Sequence, residues 1–90
     1  MYIIDGSKMT TRQDAYAEIK RALDAPDYMG SNLDALNDVL TETRGEIRLT
    51  SACVMLNALG RYGCRMLEVF FDAAQDSEYL SFSLGHAPQE

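Results

Sequence analysis

Apolar positions along this 90-residue chain alternate between a period of two and a period near 3.6. Tyr2-Ile3-Ile4 is a short β-rich run closed by the turn pair Asp5-Gly6. Thr11 then opens a helical pattern, with Tyr16, Ile19 and Leu23 at i, i+3, i+7 and Ala15 and Ala22 beside them. Pro26 ends it. After Tyr28-Met29-Gly30, where Gly30 is expected to supply a positive φ or a close backbone approach, Ser31 or Asn32 caps a second helix to about residue 43. Glu46 to Thr50 alternates as a strand. Ser51 opens a short apolar helix that ends near Gly60. Gly63 precedes a longer helix with a core stripe of Met66, Leu67, Phe70 and Ala74, and Tyr79 to Leu84 alternates as a last strand.

The order is β-α-α-β-α-α-β. Helices between successive strands favour a parallel sheet with right-handed crossovers. Alternation in the second and third strands puts one sheet face against helices and leaves the other partly wet. These features predict a two-layer α/β fold, a three-stranded parallel sheet packed with helices. Residues 1–84 make the single domain that this length allows, and 85–90 a tail.

Composition narrows the function. Fourteen acids against eight bases give a net charge of −6, which disfavours nucleic acid and anionic membranes and favours a cationic partner. No apolar run is long enough to span a membrane, and the N-terminus lacks the pattern of a signal peptide, so a cytoplasmic protein is expected. Cys53 and Cys64 lie among Ala, Val, Met and Leu and form no metal-binding cluster; buried free thiols are expected of them, with a disulfide between them as the alternative. No cofactor is implied.

The acids are unevenly placed. Between Arg21 and Arg44 there is no basic residue, while Asp24, Asp27, Asp34, Asp38 and Glu42 all fall there. On the second helix Leu33, Leu36 and Leu40 form the buried stripe, and Asp34, Asp38 and Glu42 share the outer face at i, i+4, i+8. Like charges at that spacing cost an isolated helix about 0.2–0.5 kcal/mol per pair. The helix dipole rewards Asp34 near the N-terminus but not Asp38 or Glu42. Asp72 on the fourth helix lies opposite Phe70 and is also expected outside. From the residues alone two readings stand: a solvated acidic face, or a surface made to meet something basic.

Catalysis is the weaker alternative. Asp34 and Asp38 could serve as an acid–base pair, but they share one exposed helix face, and the sole histidine, His86, sits in the tail. Neither a Gly-rich phosphate loop nor a G-x-S-x-G motif is present. A metal site of Asp34, Asp38 and Asp72 has no sign of converging geometry.

The run Pro26-Asp27-Tyr28-Met29-Gly30-Ser31-Asn32-Leu33-Asp34-Ala35-Leu36-Asn37-Asp38-Val39-Leu40 resembles the signature of the barstar family, intracellular inhibitors of barnase-type ribonucleases, approximately P-x-Y-x-G-x-N-L-D-A-L-x-D-x-L. The likeness extends to the opening strand, the first helix and the stretch Leu67 to Ala73, and is weak over 44–62. It implies a three-stranded parallel sheet and one-to-one, non-catalytic plugging of a ribonuclease active site. By the resemblance Asp38 stands in for a substrate phosphate, and Asp34 pairs with an enzyme arginine. Tyr28 packs over the cleft, Gly30, Asn32 and Leu33 make contacts at the helix start, and Asp72 sits at the rim. Met29 stands where the family has a second tyrosine, and Asn37 and Thr43 where it has tryptophans. These departures point to a related but different basic partner. The expected partner is thus a small basic ribonuclease, with an antitoxin-like module for another basic protein as the alternative. The chain itself is expected to be a monomer.

Overall fold

A computed structural model of the chain describes residues 1–26 and 29–85. Strand β1 (Tyr2–Asp5) runs into a short 3-10 turn, Gly6–Lys8, and helix α1 (Arg12–Leu23). Helix α2 (Leu33–Glu42), strand β2 (Gly45–Thr50), helices α3 (Ala52–Leu59) and α4 (Arg61–Asp76) and strand β3 (Leu80–Gly85) follow. The strands form one sheet in the order β1-β2-β3, and both pairings are parallel. This is the α/β architecture that the alternating periods predict.

Register explains which side of the sheet the helices cover. Ile4, Leu49 and Leu84 lie side by side, as do Tyr2, Ile47 and Phe82. Strand side chains alternate between faces, so these two rows share one face. Ile4, Ile47 and Leu49 on it are fully buried. The next row, Ile3, Arg48 and Ser83, belongs to the other face, where Ile3 and Arg48 are exposed. The helices supply the second layer through Tyr16, Ile19, Leu36, Leu40, Met66 and Phe70, each at most 1 % exposed. Phe70 stacks on Phe82 at 4.8 Å and ties α4 to β3.

Local signals set the helix ends. The Thr11 hydroxyl accepts the Asp14 N–H at 3.0 Å and starts α1. Asp24, at φ 51°, ends it in a left-handed turn two residues before Pro26. Glu18 is the one feature of α1 that periodicity conceals. It is 5 % exposed, accepts the Asp5 N–H at 2.8 Å and is bridged by Arg21 at 2.6 Å. It thereby pins α1 to the end of β1.

Three expectations need correction. Gly63 lies inside α4, which begins at Arg61 after a backbone break at Gly60. At Gly63 the helix passes so close to α3 that a Cβ would stand 2.9 Å from Met55 Sδ. Cys53 and Cys64 are free but exposed. Apolar neighbours in sequence do not bury a helical residue; its face does, and the inward positions here belong to Met55 and Met66. Gly85 is the last residue of β3, opposite Thr50, so the strand runs one residue past Leu84.

Candidate protein-binding face

Helix α2 is fixed at three points. Leu36 and Leu40 are fully buried and Leu33 is half-buried. At its start the Asn32 carboxamide oxygen accepts the Ala35 N–H at 2.8 Å. At its end the Thr43 hydroxyl donates to the Val39 carbonyl at 2.8 Å. A ten-residue helix held this way cannot rotate without exposing leucine.

The opposite face carries Asp34, Asp38 and Glu42, all exposed. None of the three carboxylates forms an ion pair or a hydrogen bond among the described residues, where the bridges are Arg21–Glu18 and Arg48–Glu46. Arg44, the nearest cation in sequence, lies instead over the Tyr79 ring, 4.8 Å from its centroid. The last turn of α2 holds no basic residue. The negative end of the helix dipole therefore adds to the charge of Asp38 and Glu42. The chain concentrates negative potential here, and among the described residues bordering the adjoining cleft only Arg44 opposes it. An incoming cation would relieve that potential.

An open cleft of about 610 Å³ runs alongside. One wall is Asp38, Val39 and Glu42; the other is the end of α1 with Asp24 and Pro26. Three carboxylates and one guanidinium, that of Arg44, border it. The cleft has the size and charge to take a long cationic side chain from a partner. Glu42 and Asp24 enlarge the face that the family pattern marks. Glu42 is legible as the next member of the i, i+4 series, whereas Asp24 reaches the cleft only because α1 ends in a left-handed turn.

The other expected contact residues fall in different settings. Gly30 has no positive φ; its role is close approach, since a Cβ there would lie 3.1 Å from the Asn32 carboxamide nitrogen. Met29 is 6 % exposed and joins the core while lining the cleft. Asn37 is exposed and borders a second recess with Thr41, Asp76 and Tyr79, on the side of α2 that meets α4. Asp72 is exposed on α4, which packs against α2. Tyr28 lies outside the described residues.

Comparison with known proteins follows the same lines. The family model described as Barstar (barnase inhibitor) matches residues 1–85. A Bacillus subtilis (strain 168) protein, "Putative ribonuclease inhibitor YrdF", is 38 % identical over 80 residues, which covers 82 % of this chain and 85 % of that protein.

Proposed function

The chain belongs to the barstar family, and from that premise we propose that it blocks the active site of a small basic ribonuclease with the carboxylate face of α2. Family membership and the relative's name point to an inhibitor rather than an enzyme. What carries the finer reading is one observation: Asp34 and Asp38 stand a helical turn apart, exposed and with carboxylates that have no described partner, on a helix whose opposite face buries Leu36 and Leu40 completely. A ribonuclease holds RNA phosphates with arginine, lysine and histidine. Fixed carboxylates offer those groups negative charge with no scissile bond. Because α2 is already ordered, little conformational freedom is lost on binding. Charge of this kind also speeds encounter at low salt.

In this reading Asp38 occupies the phosphate position and Asp34 pairs with an arginine. Tyr28, Met29, Gly30, Asn32, Leu33 and Asn37 surround them, and Asp72 closes the rim. One enzyme binds per chain. The setting is the bacterial cytoplasm, where such a protein protects the cell's own RNA as an immunity partner. Among the described residues no helix is long and apolar enough to cross a membrane.

A second reading takes a different basic protein as the target. It draws on the polar Asn37 and Thr43 and the buried Met29, positions where the family pattern has aromatic anchors. A capture experiment separates the two. Immobilised protein, and its Asp38→Arg variant, are offered a panel of small basic ribonucleases. Retention by the first and not the second supports the proposal. Equal retention by both places the contact elsewhere. Retention of none leaves the second reading.

A further inference from the structure

We propose that two copies of this chain pair edge to edge through β3, making a continuous six-stranded sheet with a two-fold axis at Phe82. The inference is independent of the ribonuclease reading, and it departs from the single copy expected of the sequence.

β3 is an outer strand of the sheet. Natural edge strands are commonly guarded by charge, proline or brevity. β3 has none of these: its sequence is LSFSLG over six residues. The opposite edge, β1, is four residues long and ends on Asp5.

The backbone of β3 is oriented for such pairing. The Tyr79 carbonyl accepts the Gly45 N–H at 2.8 Å and so points at β2. With a period of two, the backbone groups of Ser81 and Ser83 also turn to β2. Those of Leu80, Phe82 and Leu84 turn outward to the edge that no other described strand pairs with.

The side chains fit a second copy in one register. Leu80-Ser81-Phe82-Ser83-Leu84 reads the same in both directions. An antiparallel partner centred on Phe82 therefore sets Phe82 against Phe82 and Leu80 against Leu84, each pair exchanging both backbone hydrogen bonds. Leu84, 50 % exposed, and Phe71, 46 % exposed and edge-on to Phe82 at 4.9 Å, gain apolar neighbours. On the other sheet face Ser83 meets Ser81 of the second copy at a close, non-hydrogen-bonded position. Asp34, Asp38 and Glu42 lie on α2, outside the strand pairing itself.

Sedimentation velocity over a concentration series tests this. The expected result is a monomer–dimer equilibrium that Leu84→Lys weakens by about tenfold or more, because the change alters two symmetric pairs. At concentrations where the parent is monomeric, the thermal midpoint of Leu84→Lys should match that of the parent, since position 84 is exposed in the single chain. A register test accompanies it. In a Cys53→Ser/Cys64→Ser background, Ser81→Cys/Ser83→Cys should cross-link readily with oxidised glutathione, and Ser81→Cys alone should not. A parent chain that stays monomeric to millimolar concentration overturns the proposal. So does a dimer that Leu84→Lys leaves intact, or equal cross-linking of the single and double cysteine variants.

Discussion

The side-chain oxygen of Asn32 accepts the Ala35 N–H at 2.8 Å, and Gly30 backs onto the same carboxamide. This junction fixes where α2 starts, and with it the direction in which Asp34 and Asp38 project. Asn32→Ala removes the cap and should cost about 0.5–2 kcal/mol in urea unfolding. Asn32→Asp keeps an acceptor at the helix start and should recover most of that. Equal losses for both would show that the side-chain amide, and not the cap, is what matters.

Acid should loosen the attachment of α1 to β1. The Arg21 hydrogen bond, aided by the Asp5 N–H, holds the Glu18 carboxyl below its ordinary value of 4.5 against the opposing effect of burial. A carboxyl with a lower pKa folded than unfolded stabilises the fold fully above the unfolded value. That contribution fades as pH falls below about 4.5 and through the folded value. Asp5, held low chiefly by the Ser7 hydroxyl, acts in the same direction. Glu18→Gln should flatten this part of the pH–stability curve. Glu18→Ala should cost about 1–3 kcal/mol at neutral pH, because it orphans the Asp5 N–H. A pH profile unchanged by Glu18→Gln would contradict the assignment.

Two glycines should differ in their tolerance of a methyl group. A Cβ on Gly6 would stand 2.5 Å from the Ser51 carbonyl oxygen and 2.6 Å from that of Thr50. Both are backbone, so the ends of β1 and β2 would have to part. Gly6→Ala should cost about 1–3 kcal/mol. At Gly63 the nearest atom is Met55 Sδ at 2.9 Å, the flexible end of a side chain. Gly63→Ala should cost less, and the removed glycine also favours helix by up to about 1 kcal/mol. Thermal unfolding of the pair checks the order.

Much of this structure is written in local patterns. The leucine stripe and Asn32 specify α2, so the outward direction of Asp34 and Asp38 could be read before any coordinates. Thr11 likewise marks the start of α1. What escaped is what depends on neighbours distant in sequence. Glu18 sits on the buried side of α1 because the Asp5 N–H awaits it there, and helical periodicity carries no sign of that bond. Cys53 and Cys64 lie in apolar segments yet on outer faces. Gly63 looks like a helix boundary, although its role is a close helix–helix approach. Met29, expected at the contact surface, is 6 % exposed and belongs to the core, which its place in a short connecting segment does not signal.

Salt and the position of each acid should separate a true charge-docked face from a merely acidic surface. Removing Asp38, at the cleft wall, should weaken binding by about 2–5 kcal/mol, mostly through faster dissociation. Removing Asp72, the acid proposed for the rim, should cost about 1 kcal/mol or less. Association with the parent chain should slow as salt rises.

The most direct measurement is a titration of a small basic ribonuclease with this protein, following RNA cleavage, for the parent chain and for Asp38→Ala. Cleavage should be lost at one equivalent of the parent chain, and the curve for the variant should shift to the right, with thermal stability unchanged. Inhibition of equal strength by the parent and by Asp38→Ala would contradict the proposal.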